Sequence, residues 1–225
     1  MLLDITGPIY TGMWGNGQPF PDVCIRPVPQ PPWVKKSVYC EIFDGMHSQT
    51  GTYLETPAHW YGDTYPLDEV PLERTVDIPC TVLRLDPARF AGGGRVKITA
   101  REIDRAIEAA GDIAPDTAVV VSTGWGIHWR DECFTHDAPY FSADAMRRII
   151  ALHPRLLACD SPLWESREDP QGFFPDFYAA DILMLAPVVA LEQLPPDAAH
   201  CTLTALPIRV EGTSCAPCRA FLRFD

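Results

Sequence analysis

Short apolar runs separated by turn residues dominate the hydrophobic pattern of the chain. The clearest is TAVVVST at 117–123, a β-branched run that ends at a Gly-Trp-Gly sequence and is typical of a buried strand entering a loop. Residues 217–224 (PCRAFLRF) alternate apolar and basic side chains, which predicts a strand with one covered face. The same criteria predict further strands at 2–10, 38–43, 80–86, 155–159, 182–190 and 201–210.

Two segments carry the helical period instead. Thr99 and Glu102 form a capping box ahead of an apolar stripe that ends at Gly111. Ser142 is placed to cap a second helix, which closes before a proline. Each helix lies between predicted strands, and strands outnumber helices. We therefore predict an α/β fold in which helices flank a mixed β-sheet core, with residues 1–225 as a single domain.

The composition limits the classes of function. The 225 residues carry 18 Lys and Arg against 30 Asp and Glu, a net charge of −12, which disfavours binding to nucleic acid or to an anionic membrane surface. The longest apolar run, 182–190, is far below the ~20 residues that span a bilayer. No basic or apolar leader opens the sequence, so we expect a cytoplasmic protein that acts on a small molecule.

Eight cysteines are scattered through the sequence, and without an export signal we expect them to be reduced. Cys215 and Cys218 have the spacing of a redox motif or of half a zinc site. The sequence lacks a second pair at zinc-finger spacing, and Cys218 stands at the start of a predicted strand. We therefore do not favour a redox or zinc role for this pair, and we expect the other six cysteines to pack as small apolar side chains.

The segment 45–60 is the strongest candidate for a functional site. Polar and titratable side chains crowd around Gly51 and Pro57 there, directly after a predicted strand. Its candidate side chains are His47, Gln49, Tyr53, Glu55 and His59. The sequence lacks the glycine-rich loops of nucleotide-binding proteins, the HExxH motif and the GxSxG motif, so we expect no nucleotide cofactor.

We interpret this segment as a loop that directs several groups into one pocket. Pro57 forces the preceding residue toward an extended conformation, so a turn rather than a helix would bring Glu55 to His59. The alternative is that these two side chains hydrogen-bond to the backbone and only hold the turn. Trp14 and Asp160 are candidate substrate-binding residues elsewhere, although an Asp after a strand is also a common turn former. Further candidates, each of which could equally be solvated or packed in the core, are His128, His136, Trp60 and Trp125.

Five segments of the sequence together resemble the cyclase family that includes bacterial kynurenine formamidases and isatin hydrolases. SQTGTYLETPAHW at 48–60 resembles the family signature His-x-Gly-Thr-His-x-Asp-x-Pro-x-His. VVVSTGWG at 119–126 resembles a family strand that ends in Thr-Gly-Trp. The other matching segments are 1–13, 156–165 and 191–224, and their order and spacing agree with the family.

The resemblance implies a swivelling β/α/β-type domain that forms a homodimer or a higher homo-oligomer. It also implies a catalytic Zn²⁺ or Mn²⁺ that hydrolyses amides such as N-formylkynurenine or the lactam of isatin. This sequence departs from the signature, because Gln49 and Tyr53 replace two metal-binding histidines and Glu55 replaces the aspartate. Of the signature's ligand and acid–base side chains only His59 is unchanged.

The departures change what metal chemistry can be expected. Imidazole and carboxylate are good ligands for Zn²⁺ or Mn²⁺, whereas an amide oxygen binds weakly and a phenol must first lose its proton. The positions that align with second-metal ligands are near Phe174 and Ala186, neither of which can bind a metal. A site with the family's own ligands is therefore not expected. A rearranged site could still use Glu55 and His59, with Gln49 or His47.

Three functions fit these observations. The one we favour is a hydrolase of small amides, lactams or lactones, similar to arylformamidase. With a metal, Glu55 and His59 would be ligands; without one, His59 would act as general base, Glu55 would orient it, and Tyr53 would donate to the oxyanion. The second function is a non-catalytic small-molecule binding protein, which the lost metal ligands suggest. The third is a metal-free cyclase, isomerase or lyase in which the Glu55/His59 pair transfers a proton.

Overall fold

A closed β-sheet forms the centre of the computed structural model, which describes residues 1–15, 17–36 and 38–224. The strands are β1 Leu2–Asp4, β2 Cys24–Pro27, β3 Glu41–Asp44, β4 Tyr53–Glu55, β5 Ile78–Arg84, β6 Lys97–Ile98, β7 Ala118–Ser122, β8 Tyr140–Phe141, β9 Leu156–Cys159, β10 Leu183–Ala186, β11 His200–Pro207 and β12 Cys215–Arg223. The α-helices are α1 Ala58–Tyr61, α2 Ala100–Ala110, α3 Ala143–Ile150 and α4 Phe174–Ala179.

The main sheet has eight strands in the order β1-β12-β11-β5-β7-β9-β10-β4. The neighbours β5, β7, β9 and β10 run parallel, and the other pairs are antiparallel. β4 also pairs with the beginning of β12, which closes seven strands into a barrel and leaves β1 at the edge. The prediction of a mixed sheet in an α/β fold is confirmed.

Side chains of the barrel strands divide into an inner and an outer cluster, because successive side chains of a strand point to opposite faces. On β7, Val120 packs inside the barrel, whereas Val119 and Val121 pack outside it. β4 follows the same rule, with Leu54 inside and Tyr53 outside. A side chain on the outer face can therefore meet a helix, a loop or a cavity.

The two predicted helices pack against each other and contribute to the outer cluster. The capping box of α2 is present, since Thr99 accepts from the backbone N–H of Glu102 and the Glu102 carboxylate accepts from the backbone N–H of Thr99 at 2.7 Å. Ser142 caps α3 by accepting from the backbone N–H of Ala145 at 3.1 Å. The short polar signals before each apolar stripe thus predicted both helix starts.

Other predicted elements need correction. The strand predicted at 2–10 is a strand only over Leu2–Asp4, followed by an isolated bridge between Thr6 and Val188. Residues 38–43 overlap β3, but β3 pairs with β2 in a separate hairpin instead of joining the barrel. Within the segment 45–60, β4 is a buried barrel strand where we predicted a loop. Its three residues are too few to show a period of two.

All eight cysteines lie among the described residues, and all are free thiols. Cys215 belongs to the outer cluster and Cys218 to the barrel interior, because residues three apart on a strand face opposite ways. The CxxC spacing therefore does not bring these two thiols together. In the part of the chain that the structure describes, no helix has the length and apolar character needed to cross a bilayer.

Candidate active site

The register of β4 places the candidate acid on the outer face of the barrel. Glu55 lies opposite Met184 on β10 and opposite Cys215 on β12. Tyr53, two residues earlier, lies on the same face and opposite Ala186. The strand therefore presents a phenol and a carboxyl group side by side between two neighbouring strands.

Glu55 is fully buried, and its carboxyl group is held from several sides. Gln49 Nε2 donates to Oε2 at 3.0 Å, and the Tyr178 hydroxyl donates to Oε1. His59 Nδ1 is 3.7 Å from Oε2. Burial raises the pKa of Glu55, while the nearby His59 and the hydrogen bonds from Tyr178 and Gln49 oppose the shift. The carboxyl group is thus a buried acid whose ionised form has dedicated partners.

A turn brings His59 back over the end of β4. Pro57 precedes the single turn of α1, and Gly62, with a φ of +76°, ends it in the left-handed region. His59 lies in this turn with its side chain 40% exposed, so water can reach the imidazole. As predicted, a turn after Pro57 brings His59 close to Glu55.

One cavity of about 200 Å³ is lined by four of the five candidate side chains of the segment 45–60, all except His47, and by several aromatic side chains. Its lining comprises Gln49, Tyr53, Glu55, His59, Trp60, Pro162, Leu163, Trp164, Glu165, Phe174, Tyr178, Met184 and Ala186. The rings of Trp60 and Phe174 are inclined by only 27° with centroids 6.2 Å apart, and Tyr178 is nearly parallel to both. The cavity therefore has a polar end and a flat aromatic wall.

The sequence reasoning missed Trp164, Tyr178, Met184 and Cys215 as neighbours of Glu55. Tyr178 lies on α4, a six-residue helix with an early proline that carries no helical period long enough to recognise. The aromatic run FFPDFY at 173–178 was the available signal, because clustered aromatics often wall a small-molecule pocket. Met184 and Cys215 become neighbours of Glu55 only through strand register.

Tyr53 is almost completely buried at the same face. Burial, the Glu55 carboxylate and the neighbouring Cys215 raise the pKa of its phenol well above the usual value, against an opposing interaction with Gln49. The hydroxyl group therefore stays protonated at neutral pH and can only act as a neutral donor or acceptor.

Two residues predicted to bind substrate lie outside this cavity. Trp14 and His47 line a small neighbouring depression, which Gln49 also borders. Trp14 packs against Trp129 with ring centroids 5.0 Å apart, and His47 stacks on Phe20 at 4.4 Å. His47 Nδ1 accepts the backbone N–H of Gln49 at 3.3 Å, and burial lowers its pKa. Both side chains are thus engaged in packing and turn formation rather than facing Glu55.

Asp160 also requires correction, because its carboxyl group is fully buried and does not line the cavity. It accepts from the Thr123 backbone N–H at 3.0 Å, from the Thr123 hydroxyl at 2.7 Å and from the Gly124 N–H at 2.9 Å. Burial raises the pKa of Asp160, and these hydrogen bonds oppose the rise. Asp160 ties the turn after β7 to the end of β9, which is a structural role.

Of the four further candidate residues, one lines the cavity and three lie outside it. Trp60 lines the cavity, whereas Trp125 is buried and donates through Nε1 to the Phe134 carbonyl at 2.9 Å. His128 pairs with Asp131 at 2.7 Å on a loop outside the cavity. His136 lines a larger open cleft of about 860 Å³ that adjoins the cavity through Leu163 and Glu165.

The sequence matches one known protein family over most of its length. The family described as Putative cyclase matches residues 3–166, which is most of the chain and includes β4, α1 and the turn after β7. The chain belongs to this cyclase family. The resemblance read from the sequence is confirmed.

Solved structures of cyclase-family type superpose on nearly the whole chain. An isatin hydrolase bound to the product analogue thioisatinate has a TM-score of 0.80 and 19% identity, covering 99% of this chain and 92% of that one. Isatin hydrolase A from Ralstonia solanacearum has a TM-score of 0.78 and 20% identity, covering 100% and 92%. A predicted metal-dependent hydrolase from Bacillus stearothermophilus has a TM-score of 0.75 and 21% identity, covering 99% and 97%. At these identities the likeness shows the fold, and no curated protein matches the chain.

Two structural neighbours are described as metal-dependent hydrolases, but two of the side chains at the signature positions of this chain are poor ligands for a divalent ion. Gln49 directs its amide N–H to Glu55, and Tyr53 keeps its proton, so neither replaces an imidazole ligand. Phe174 and Ala186 line the cavity and offer no side-chain donor.

A different set of donors does meet at this point. One carboxylate oxygen of Glu55, one imidazole nitrogen of His59 and the Cys215 sulfur all lie within 4.8 Å of one another. Carboxylate, imidazole and thiolate are all ligands that zinc accepts in proteins. The residues present could therefore hold a zinc ion through a set that differs from the family signature. Burial raises the pKa of the Cys215 thiol, so this side chain would give up its proton on binding the ion.

Proposed function

We propose that this chain hydrolyses a small, uncharged, planar amide or lactam in the Glu55 cavity. The observation that carries the proposal is the Glu55/His59 pair, which lies at the polar end of a cavity whose wall includes several aromatic side chains. The isatin-hydrolase fold and the family membership support the hydrolase class. Specificity for N-formylkynurenine or isatin is a finer expectation that only turnover can decide.

The size and charge of the cavity favour this substrate class. A volume of about 200 Å³ suits a ligand of one or two rings, below the range typical of drug-sized ligands. The flat rings of Trp60 and Phe174 would contact the faces of a planar substrate. Glu55 and Glu165 both line the cavity, so an anionic substrate would meet like charge.

Glu55 and His59, at the polar end of the cavity, would activate the attacking water. The exposed imidazole of His59 would take a proton from water as the oxygen attacks the carbonyl carbon, and the Glu55 carboxylate would stabilise the imidazolium. Gln49 and Tyr178 hold that carboxylate in place during the transfer. A zinc ion held by Glu55, His59 and Cys215 would instead supply Lewis-acid polarisation and lower the pKa of the water, occupying the imidazole that otherwise takes the proton.

The remaining steps use groups in the same cavity. The protonated Tyr53 hydroxyl would donate to the carbonyl oxygen as negative charge develops on it. The C–N bond then breaks, and the proton taken from water returns from His59 to the leaving nitrogen. The products are a carboxylic acid, which releases its proton at neutral pH, and an amine, and the overall change is the addition of one water molecule.

Turnover tests the proposal directly. Isatin, N-formylkynurenine and a small aromatic lactone are incubated with the protein, with and without a chelator, and products are identified by mass. We expect hydrolysis of at least one compound, and a fall in kcat/KM of about 10²–10⁴-fold in His59→Ala, the range for loss of a general base. His128→Ala, which removes an imidazole outside the cavity, should retain activity.

Two outcomes would contradict the proposal. Thermal stabilisation by these compounds without any product would favour the non-catalytic binding protein. A product of unchanged mass would favour the cyclase or isomerase, because isomerisation adds no water.

A further inference from the structure

We propose that Glu55, His59 and Cys215 form a zinc site with one sulfur ligand. The proposal rests on the proposed function, because it names the group that would activate water at the same cavity. It departs from the signature segment at 48–60 by drawing one ligand from β12, near the C-terminal end of the sequence.

Strand register is the first argument. β4 and β12 pair antiparallel with Cys215 directly opposite Glu55, so their side chains leave the same face of the barrel. The pairing that closes the barrel therefore also fixes the thiol beside the carboxylate. His59 reaches the same point from the turn of α1, which brings the three ligand atoms within 4.8 Å of one another.

The donor chemistry is the second argument. Catalytic zinc sites commonly have three protein ligands and one open position, and cysteine, histidine and glutamate are all accepted. The thiol favours zinc over manganese, because manganese prefers oxygen ligands. The side chain of His59 is 40% exposed, whereas Glu55 and Cys215 are buried. Water would therefore reach an ion held by this trio from the His59 side.

The surroundings of Glu55 supply the support that a ligating carboxylate needs. A carboxylate has lone pairs for an ion and for hydrogen bonds at once. Tyr178 donates to one oxygen and Gln49 to the other, so both oxygens are oriented by side chains that line the cavity. Partners of this kind orient metal ligands, and their loss typically weakens metal affinity by about 10–100-fold.

A second group of three side chains could also bind zinc, so the experiment must distinguish the two sites. His128, Asp131 and Cys133 also place ligand atoms within 4.8 Å of one another. Asp131 is exposed, and the trio lies on a loop outside the aromatic cavity. Because this trio would give the same sulfur signature, Cys133 has to be varied alongside Cys215.

Cobalt binding gives a readout that does not depend on activity. The chelator-treated full-length protein is titrated with Co²⁺, and thiolate-to-cobalt charge-transfer absorption is recorded in the near ultraviolet. We expect one equivalent to bind with this absorption in the wild type, in Cys133→Ser and in Cys218→Ser, whose thiol points into the barrel. Cys215→Ser should lose the absorption and bind Co²⁺ more than tenfold more weakly.

A measurement on the unsubstituted protein covers the case in which Cys215→Ser fails to fold. Zinc K-edge X-ray absorption of the zinc-loaded wild type should show one sulfur together with nitrogen or oxygen ligands. A sulfur-free shell, absence of zinc binding, or loss of the cobalt absorption in Cys133→Ser with its retention in Cys215→Ser would each overturn the proposal.

The turnover assay separates this proposal from the hydrolase proposal. Zinc bound through sulfur without any hydrolysis would support the site and contradict the proposed function. Hydrolysis that persists after complete metal removal, with no sulfur ligand detected on zinc addition, would leave the function standing and overturn the zinc site.

Discussion

At the scale of single residues, burial makes ionisation of the Glu55 carboxyl group unfavourable. Its carboxyl group is fully buried, and burial raises its pKa in the folded protein. The folded state therefore holds the proton more tightly than the unfolded state does. This contribution to stability is fully present below the unfolded carboxyl pKa, which is near 4.5, and is lost as the pH rises through the raised folded pKa.

The substitution Glu55→Gln tests this sign. The variant cannot ionise, so its Tm relative to the wild type should rise as the pH increases from the unfolded carboxyl range toward neutrality. The comparison is made with chelator present, by thermal unfolding of both proteins across that pH range. Glu108→Gln, on the exposed side of α2, is the matched control and should show a much smaller pH-dependent difference.

A Tm difference that stays constant with pH, or that moves in favour of the wild type, would contradict the raised pKa. The result would then indicate that the partners of Glu55 outweigh its desolvation. The hydrogen bonds from Tyr178 and Gln49 are the contacts that would account for such an outcome.

At the scale of elements, Asp160 links two strands of the barrel. Its carboxylate accepts hydrogen bonds from the backbone and hydroxyl of Thr123 and from the backbone of Gly124, both of which follow β7. The turn depends on Gly124, whose φ is +82° and whose hypothetical Cβ would lie 2.6 Å from Pro87. The contacts hold the ends of two parallel strands together.

We expect Asp160→Ala to lower the free energy of unfolding by about 3 kcal/mol or more, since buried donors lose a charged acceptor. Urea unfolding followed by tryptophan fluorescence measures the change. The exposed Asp112→Ala should alter stability by less than about 0.5 kcal/mol. If Asp160→Ala abolished turnover while leaving the unfolding curve unchanged, the structural role assigned to Asp160 would be wrong.

The whole molecule carries a net charge of −12, and the cleft beside the cavity shares this sign. Three arginines and five acidic residues line that cleft, and one of the arginines, Arg95, already donates to the carbonyls of Ala138 and Glu165. The approach to Glu55 is therefore unfavourable for anions. Salt screens such repulsion over a Debye length of about 10 Å at 0.1 M.

Salt dependence should consequently differ between substrates. We expect the KM of a carboxylated aromatic amide to fall several-fold as ionic strength rises from about 0.01 M to about 0.15 M. The KM of its uncharged analogue should change little over the same range. Initial-rate measurements on the pair provide the test, and a KM that rises with salt for the anion would indicate a cationic binding group in the cavity.

Local patterns sufficed to predict much of the fold. The capping box at Thr99 and the cap at Ser142 depend on neighbouring residues, so the sequence reports them reliably. The run at 117–123 likewise became β7, because a continuous β-branched stretch is stable only when both faces are covered. β4 was not recognised, since three residues stabilised by pairing on both edges carry almost no local signal.

In the candidate site, too, some features follow from the local sequence and others only from the fold. The sequence alone determined that an amide, a phenol, an acid and an imidazole are close along the chain, and that Pro57 turns the backbone between the last two. Only the tertiary structure decided which side chains face one another: closure of the barrel set Cys215 beside Glu55, and α4 brought Tyr178 to the same carboxylate. These contacts join residues more than one hundred positions apart, and their register follows from packing of the whole sheet rather than from any local preference.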